Sequence, residues 1–583
     1  MPDIRWIEDQ PYYPKAPFLT RANVGEVLPE PPSPAGWDLV FGSGGTVAGW
    51  RDCAINRLGV GPDELDPDPN RCDFIGLVGG YGYLSATWIR VWGERTPGMS
   101  AAAIDAAYFG DHPDVPPYVP EPWHSNPATT AQMEKWLGWT MGDMDQSELE
   151  ADRVLAREVR HGRPDFKSMS DAELLDYAVS LRPLCRRLFD QHINQSGAAS
   201  IGPGVIAAVC QALGRPADAM RLIAGLGGVD SAAPSYAMWD LSRAVRQSRA
   251  LAALFDRGPS GLTATLRASE DPDVRAFVSE LDAFLAEFGS RGPNEWDIMS
   301  ETWETNPDLV LAAIDRMRLT PDEESPTSHQ HARESERGRI RTEIREALQG
   351  DPESLAQFDA GMASAATFVP GRERSKTNII RVIEETRMAI WEIGRRAVER
   401  GEIDRPQDIC FLFEDELRDL ADGRLTGIRL LVEARRAHYD WLLTLEPPFI
   451  INGPPPPNTT WPRRSDHSFA AVVAGEELRG VAGCAGIARG TARIVLDPLD
   501  PTVLQPGDIL VAPMTDPAWT PLFVPAAGVV VNVGAPLSHA IIVSRELGIP
   551  CVVSVTDATR RIPDGALIEV NGDAGTVTVL ELP

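Results

Sequence analysis

The sequence predicts a multidomain protein in which a mainly α-helical region is followed by a C-terminal α/β domain. Three observations lead to this fold class. The chain has 583 residues, enough for several domains. Apolar residues recur at helical spacing before residue 445, and short β-branched runs flank a helical segment near the C-terminus. We therefore place a helical domain at 1–445 and the α/β domain at 476–583.

The helical region is predicted from segments such as 171–181, 273–285 and 376–401. In each of them apolar residues lie three and four positions apart, so a helix would present one apolar face. In aqueous solution, such an apolar face is buried by packing against other helices. These helices are expected to form one domain.

A proline-rich linker is predicted at 446–475. It contains four consecutive prolines at 454–457, which favour an extended and semi-rigid backbone. A proline tract can also be a ligand for a proline-reading module. Its position directly before the C-terminal domain favours a spacer that carries that domain.

The C-terminal domain contains a predicted strand, loop, helix and strand around His539. The apolar runs 527–533 and 551–555 have the length and β-branched composition of strands. Between them, the spacing of apolar residues predicts a short helix that ends at Gly548. His539 falls in the first turn of this helix, with Ser538 as its expected cap.

A histidine in this position has the chemistry of a phosphoryl carrier. A neutral imidazole nitrogen is nucleophilic near pH 7, and a phosphorylated imidazole passes its phosphoryl group on readily. The N–H groups and dipole of a helix N-terminus favour an anion. The alternative is a structural histidine in an ordinary strand, helix and strand unit, which is the more common role of a lone histidine.

Composition excludes several classes of partner. The formal net charge of −29 disfavours nucleic acid and anionic membrane surfaces, which require basic footprints. The N-terminus lacks a signal-peptide pattern, and the chain lacks an apolar run of membrane-spanning length, so we expect a cytoplasmic protein. The seven cysteines are scattered without metal-like pairing and are expected to be reduced.

The stretch 478–580 resembles the swivelling phosphohistidine domain of the phosphoenolpyruvate-utilising enzymes. Four motifs carry the resemblance together with the histidine segment 534–550, and they lie at 483–492, 506–511, 515–523 and 564–575. Leu537 departs from the threonine that phosphoenolpyruvate synthase and pyruvate phosphate dikinase usually have two residues before the histidine. Rifampin phosphotransferase-like members carry an apolar residue there, which implies transfer to a substrate other than pyruvate.

The helical region shows a weaker resemblance to rifampin phosphotransferase-like proteins. It lies at 288–297 and 302–307, which are similar to the substrate-binding domain of those proteins, and at 20–29. The resemblance implies an acceptor domain at 1–445 without the ATP-grasp domain that loads the histidine. The phosphohistidine subunit of phenylphosphate synthase has the same division, with its ATP-grasp domain on a separate polypeptide.

The implied function is a dikinase-type phosphotransferase subunit. It would carry a phosphoryl group from ATP, through phospho-His539, to a hydroxyl of a small acceptor such as a phenol, an alcohol or an antibiotic. ATP and Mg²⁺ would act through a separate ATP-grasp partner, with no cofactor bound tightly by this chain. The alternative is a phosphocarrier or regulatory binding protein that does not transform a small molecule itself.

A second candidate group is Arg372 and Lys376, placed just before the predicted helix 376–401. If helical, the two residues share a face and can converge on one anion. A solvated charged face is the alternative interpretation. The segment 372–376 resembles the Arg-Glu-x-x-Lys motif of the family, which implies that both cations contact the transferring phosphoryl group.

Other candidates have weaker support. His329 and His331 are expected in an exposed loop, and we predict no metal site there. The glycine-rich segment 225–228 lacks the lysine and context of a nucleotide loop and is expected to be a turn. His192 and His438 are possible bases for the acceptor hydroxyl, and the sequence favours neither of them.

Overall fold

The computed structural model describes residues 4–42, 44–68, 71–110, 112–466, 472–496, 504–516, 519–534 and 538–583. Leu537 and part of the predicted linker lie outside these ranges. The chain forms two compact units. The first comprises Met1–Gly197, Trp296–Ser300 and Ser375–His467, and the second comprises Ala198–Glu295, Glu301–Arg374 and Ser468–Pro583.

Helices make up most of the described chain before residue 445. In chain order the α-helices are α1 Val24–Val27, α2 Pro34–Gly36, α3 Thr46–Asn56, α4 Ala86–Arg95, α5 Ala101–Phe109, α6 Thr130–Gly138, α7 Ser147–His161, α8 Asp171–Ser180, α9 Arg182–Ala212, α10 Asp218–Leu222, α11 Ala233–Gln247, α12 Arg249–Phe255, α13 Leu262–Arg267, α14 Pro272–Phe288, α15 Asp308–Met317, α16 Pro326–Ala347, α17 Pro352–Glu399, α18 Glu414–Ala421, α19 Ile428–Leu443, α20 Thr520–Phe523, α21 His539–Leu547 and α22 Ala558–Arg561. Short 3-10 or π-helical turns occur at Trp37–Phe41, Pro62–Glu64, Pro122–His124, Pro127–Thr129, Trp139–Asp143, Phe166–Ser168, Asp322–Glu324, Pro406–Phe411 and Asn458–Thr460.

The predicted helices are confirmed at 171–181 and 273–285, which correspond to α8 and α14. The third predicted helix is part of α17, which begins at Pro352 and not near Lys376. Pro370 lies inside this 48-residue helix. A proline removes a backbone donor and usually ends a helix, which explains why the pattern suggested a later start.

The first unit contains a small antiparallel sheet that the helical pattern did not predict. Its strands, in the spatial order β2-β3-β1-β4, are β1 Phe18–Thr20, β2 Ile75–Val78, β3 Tyr81–Ser85 and β4 Ile450–Asn452. Leu19 of β1 pairs with Ile451 of β4 on one side and with Ser85 of β3 on the other. Strand β4 lies within the predicted linker 446–475, so this part of the segment is packed in the first unit.

The second unit contains an eight-stranded mixed sheet. Its strands are β5 Glu477–Arg479, β6 Val481–Cys484, β7 Ile487–Ile494, β8 Ile509–Ala512, β9 Gly528–Val531, β10 Cys551–Val553, β11 Leu567–Asn571 and β12 Thr576–Glu581, in the spatial order β5-β12-β11-β7-β8-β9-β10-β6. Strands β7 to β10 are parallel neighbours, and the flanking pairs are antiparallel. The predicted C-terminal α/β domain is confirmed.

Strands β8, β9 and β10 are buried on both faces, as expected for parallel central strands. Val529 and Val531 of β9 pack against Ile541 and Leu547 of α21 on one face. Val530 points to the opposite face, where a second apolar cluster includes α22. The packing of β9, α21 and β10 in one cluster therefore positions the N-terminus of α21 against the sheet.

Candidate active site

His539 is the first residue of α21, the helix that follows β9. The predicted strand, helix and strand are confirmed, residues 535–537 of the predicted loop lie outside the described residues, and Gly548 ends the helix in the left-handed conformation with φ of 71°. Its imidazole is buried, with 5% of the residue exposed. The residue is thus at the positive end of the helix dipole and shielded from water.

Both ring nitrogens of His539 lie next to threonine hydroxyls. Nε2 is 2.9 Å from Oγ1 of Thr520, and Nδ1 is 3.1 Å from Oγ1 of Thr515. The ring of Phe523 meets the imidazole edge to face at a centroid distance of 5.8 Å. A neutral imidazole has one donor and one acceptor nitrogen, and a hydroxyl can match either. Each hydroxyl can donate to or accept from the nitrogen beside it, so the two threonines position the imidazole through both of its nitrogens.

Ser538 occupies the N-cap position of α21, but its side chain does not cap the helix. Its backbone is extended, with φ of −66° and ψ of 156°, and no cap hydrogen bond forms. Its buried Oγ has no hydrogen-bond partner among the described residues. A Cβ added to Gly534 would lie 3.1 Å from this oxygen, which shows that the hydroxyl is directed toward that glycine. The expected role of Ser538 is corrected: it caps by position only, and its hydroxyl does not use the N–H groups that an anion would need.

Arg372 and Lys376 lie inside α17, four residues apart and so on one face of the helix. Lys376 is 9% exposed, and Arg372 is partly buried and forms an ion pair with the buried Glu373. The solvated-face interpretation is therefore wrong. The motif lies within the helix and not before it, because the helix continues through Pro370. Convergence of the two cations on a phosphoryl group stays a prediction.

His192 is the candidate base that the structure distinguishes. Its Nδ1 lies 3.0 Å from Oγ of Ser375, the residue directly before Lys376. The rings of Phe189 and Trp296 lie 5.8 Å and 6.1 Å from the imidazole. Within the first unit, these contacts join a buried histidine and two aromatic rings to the motif on α17.

The other histidines have different environments. His438 packs against the rings of Trp6 and Trp441, and burial lowers its pKa. His329 and His331 lie on α16 and not in the expected loop. The polar composition of the segment suggested a loop, but a helix with one exposed face has the same composition. Among the described residues there is no group of three or more histidine, cysteine, aspartate or glutamate side chains that could hold a metal ion.

Sequence reasoning did not assign roles to Thr515, Thr520 or Ser375. The two threonines lie within the motif 515–523, and Ser375 lies within the motif 372–376. Their hydroxyls contact histidines 24, 19 and 183 residues away in the chain, so only the fold shows the pairings. The sequence signal that could have identified these three residues was the presence of hydroxyl side chains inside the two motifs.

Within the part of the chain that the structure describes, no helix has the length and apolar character needed to cross a membrane.

Two family models match the chain. The rifampicin phosphotransferase fourth domain matches residues 191–373, and the mobile domain of PEP-utilising enzymes matches residues 504–575. The first match covers most of α9, the helices α10 to α16 and the start of α17 as far as the residue after Arg372. The second covers the strands β8 to β11 and the whole site around His539.

Several curated proteins are similar to this chain. An uncharacterised protein of Mycobacterium tuberculosis is 34% identical over 62% of this chain and 39% of its own length. The prodigiosin synthesizing transferase of Serratia marcescens is 30% identical over 62% of this chain and 40% of its own length. A rifampicin phosphotransferase of Streptomyces sviceus is 31% identical over 52% of this chain and 34% of its own length.

The matched region thus spans between about a third and two fifths of the length of these relatives. The two family matches lie in the order of a helical domain followed by the mobile domain, and the mobile-domain match contains the buried histidine at the start of α21. In these two regions the chain is similar to rifampicin phosphotransferase and to PEP-utilising enzymes.

Proposed function

We propose that this protein is a phosphotransferase subunit that moves the β-phosphoryl group of ATP, through phospho-His539, to a hydroxyl of a small organic acceptor. With water as the acceptor of the γ-phosphoryl group, the products are the phosphorylated acceptor, AMP and phosphate. The observation that carries the proposal is the buried His539 at the N-terminus of α21, held by two hydroxyls inside the mobile domain.

The first half-reaction forms a bond between an imidazole nitrogen of His539 and phosphorus. The oxygen that leaves takes the bonding pair, and the ring keeps its proton on the other nitrogen. One threonine must release the attacking nitrogen while the other accepts from the ring N–H, so Thr515 and Thr520 would fix the tautomer. The N-terminus of α21, not capped by the Ser538 hydroxyl, stabilises the phosphoryl oxygens.

The second half-reaction transfers the phosphoryl group to the acceptor oxygen. We propose that His192 takes the hydroxyl proton, because its imidazole is hydrogen-bonded to Ser375 and is buried beside aromatic rings. Arg372 and Lys376 would contact the phosphoryl oxygens and balance the charge that develops on them. The partial burial of both cations strengthens such contacts, since water screens them less.

The acceptor is proposed to be a phenol, another alcohol or an antibiotic hydroxyl. Within this set we propose an aromatic acceptor, because the surroundings of His192 include the buried rings of Phe189 and Trp296. A relative named rifampicin phosphotransferase supports the inclusion of antibiotics in this set.

Loading is proposed to come from a separate ATP-grasp subunit that binds ATP and Mg²⁺. We propose a cytoplasmic location, supported by seven buried cysteines that are all free. The competing hypothesis is a phosphocarrier or regulatory protein without an acceptor of its own. The His192 and Ser375 arrangement favours the enzyme, because a carrier has no use for a buried base beside the basic motif.

The test uses ATP labelled at the β-phosphorus, the chain and candidate ATP-grasp proteins, followed by a panel of phenols and alcohols. We expect an acid-labile label on wild type and none on His539→Ala. We expect His192→Gln to be labelled but to transfer slowly. Labelling that survives His539→Ala overturns the proposal, and labelling without transfer to any acceptor favours the carrier. ATP turnover by the chain alone would contradict the need for a partner.

A further inference from the structure

A small cleft in the first unit is lined by the N-terminal segment 10–16 and by the antiparallel sheet. The sheet contributes Leu19 of β1 and Val78 of β2, and the proline tract contributes Pro455. The cleft holds about 270 Å³ of empty space that is continuous with the solvent. This volume is at the lower end of small-molecule sites, so the cleft fits one side chain or a molecule of a few atoms.

The N-terminal segment is fixed along the sheet by backbone hydrogen bonds. N–H of Gln10 donates to the carbonyl oxygen of Leu77 on β2 at 2.8 Å. N–H of Ala16 donates to the carbonyl oxygen of Tyr13 at 2.9 Å, which closes a four-residue turn with Pro14 at its second position. The segment that lines the cleft is therefore preformed.

Asp73 is the one acidic residue among the described residues that line the cleft, and none of them is basic. It is 8% exposed, accepts a hydrogen bond from N–H of Asp66 at 3.0 Å and has no salt-bridge partner in the described part of the chain. Burial raises the pKa of this carboxyl, although the N–H of Asp66 and the charge of Arg51 lower it. A buried carboxylate without a direct counter-charge is unfavourable, and a cation in the cleft would compensate it.

The arginines near Asp73 are engaged with other groups. Arg51 donates to the carbonyl oxygen of Arg71 at 3.3 Å, and the guanidinium of Arg71 lies 3.8 Å from the carboxylate of Asp66. The charge of Asp66 also acts on Asp73 and raises its pKa. The protein itself therefore balances the negative charge at the cleft only in part.

Gln10 brings a second acceptor to the lining. Its Oε1 is buried and has no hydrogen-bond partner among the described residues. The oxygen lies over Gly76 of β2, where an added Cβ would be 1.9 Å away, so the glycine leaves the room that this side chain occupies. A buried acceptor without a partner is unfavourable and is satisfied by a donor such as an N–H group.

The aromatic part of the cleft consists of two tyrosines. Tyr12 is 37% exposed, and the hydroxyl of Tyr13 donates to Asp66 at 3.4 Å. Burial raises the pKa of Tyr13 to about 12, so its ring is neutral at physiological pH. The face of a neutral tyrosine ring attracts an ammonium group through its quadrupole. Aromatic and apolar walls beside one carboxylate suit an alkyl chain that ends in a cation.

We propose that this cleft binds a primary ammonium group, with the Asp73 carboxylate as its counter-charge and the rings of Tyr12 and Tyr13 beside it. A guanidinium is less suited, because its planar fork pairs with both oxygens of a carboxylate, and Asp73 already accepts from Asp66. Ca²⁺ is also less suited, because it takes roughly six to eight oxygen ligands. The site does not depend on the proposed phosphoryl transfer.

The ammonium group can come from a lysine side chain of another protein or from a free alkylamine. Saturation-transfer NMR of the full chain measures both, with Nα-acetyl-lysine amide as the probe for lysine and n-butylammonium as the probe for a free amine. n-Butanol has the same chain without the charge and measures apolar binding alone. Ionic strength is held constant, because the net charge of −29 attracts any cation.

We expect n-butylammonium to bind wild type at one site with a Kd on the order of 1 mM, as for a ligand with one charged contact. Binding to Asp73→Asn should be at least tenfold weaker, because asparagine can still accept from N–H of Asp66 but has no charge. Asp404→Asn is the matched control and should bind as wild type does, because Asp404 is a carboxylate with a 63% exposed side chain that pairs with Arg429.

The two probes separate the sources of the ammonium group. Similar affinity for both supports a lysine side chain as the occupant, and binding of n-butylammonium alone supports a free amine. Equal affinity of wild type and Asp73→Asn for n-butylammonium would overturn the ammonium site. So would n-butanol that binds as tightly as n-butylammonium, or the absence of binding by both ammonium probes.

A second variant decides the question if Asp73→Asn does not fold. Tyr12→Leu changes a partly exposed side chain, keeps an apolar group at the cleft and removes the aromatic ring. We expect about threefold weaker binding of n-butylammonium, from the lost attraction between the cation and the ring. Unchanged affinity in this variant would also overturn the proposal.

Discussion

Nε2 of His539 lies 2.9 Å from Oγ1 of Thr520, at the start of the helix whose other end is bound by α16. The threonine belongs to α20 and the histidine to α21, so the contact depends on how both helices pack on the sheet. The pair joins the reactive ring to a hydroxyl that can either donate or accept a hydrogen bond.

We expect Thr520→Val and Thr515→Val to affect phosphorylation of His539 unequally. Valine keeps the shape of threonine but removes the hydroxyl, so each variant loses one hydrogen bond to the ring. The threonine that accepts the ring N–H fixes the tautomer, and its loss should slow phosphorylation about tenfold, from an effect of about 1 to 1.5 kcal/mol. The threonine that must release the attacking nitrogen should matter less.

Phosphoramidate, which phosphorylates histidine chemically, gives a rate that needs no partner protein. Phosphorus NMR then identifies the modified nitrogen. Equal rates in both variants and wild type would show that neither hydroxyl positions the ring for reaction.

We expect Arg372→Met and Lys376→Met to slow transfer from phospho-His539 to the acceptor more than they slow the loading of His539. Methionine keeps most of the side-chain length and removes the charge, so the loss reports on stabilisation of the phosphoryl oxygens. A tenfold or greater reduction in transfer is expected for each variant. Arg339→Met is the matched control, because Arg339 is an exposed cation on α16 paired with Glu343. Unchanged transfer in both variants would limit the pair to a structural role.

Much of the C-terminal site was predictable, because its signals are local. The β-branched runs, the helical spacing and Gly548 lie within 30 residues of His539, so short-range pattern was sufficient for β9, α21 and β10. The sheet of the first unit was not predictable, since β1 and β4 are three residues long and pair across more than 400 residues. Burial of Lys376 also depends on distant segments of the chain. The spacing of apolar residues in the sequence indicates which residues share a helix face, but it does not indicate which distant segment covers that face.

We expect all seven cysteines to resist alkylation in the folded protein at pH 8. Each one is buried, and burial raises the thiol pKa: to about 12 for Cys72, Cys185 and Cys551 and to about 11 for Cys210 and Cys484. The thiolate is the reactive form, so at pH 8 the reactive fraction of each thiol is very small. Iodoacetamide labelling followed by mass spectrometry measures this, with the urea-unfolded chain as the positive control. Rapid labelling of any cysteine in the folded protein would show that its surroundings open readily.

The last prediction concerns the buried charge network around Glu385 in the first unit. Its carboxylate accepts two hydrogen bonds of 2.7 Å from Arg163 and one of 3.2 Å from Arg160. Its side chain is fully buried. Glu385→Gln keeps the shape but leaves two guanidinium groups without their shared counter-charge, which should cost about 3 to 5 kcal/mol of unfolding free energy. Asp282→Asn is the control, because Asp282 pairs with Arg267 where both side chains are 48% exposed, and such a pair contributes about 0 to 1 kcal/mol. Thermal unfolding should show a clear decrease for Glu385→Gln and almost none for Asp282→Asn. Equal stability of the two variants would mean that water or a rearranged side chain compensates the two arginines, and that this network does not hold α7 to α17.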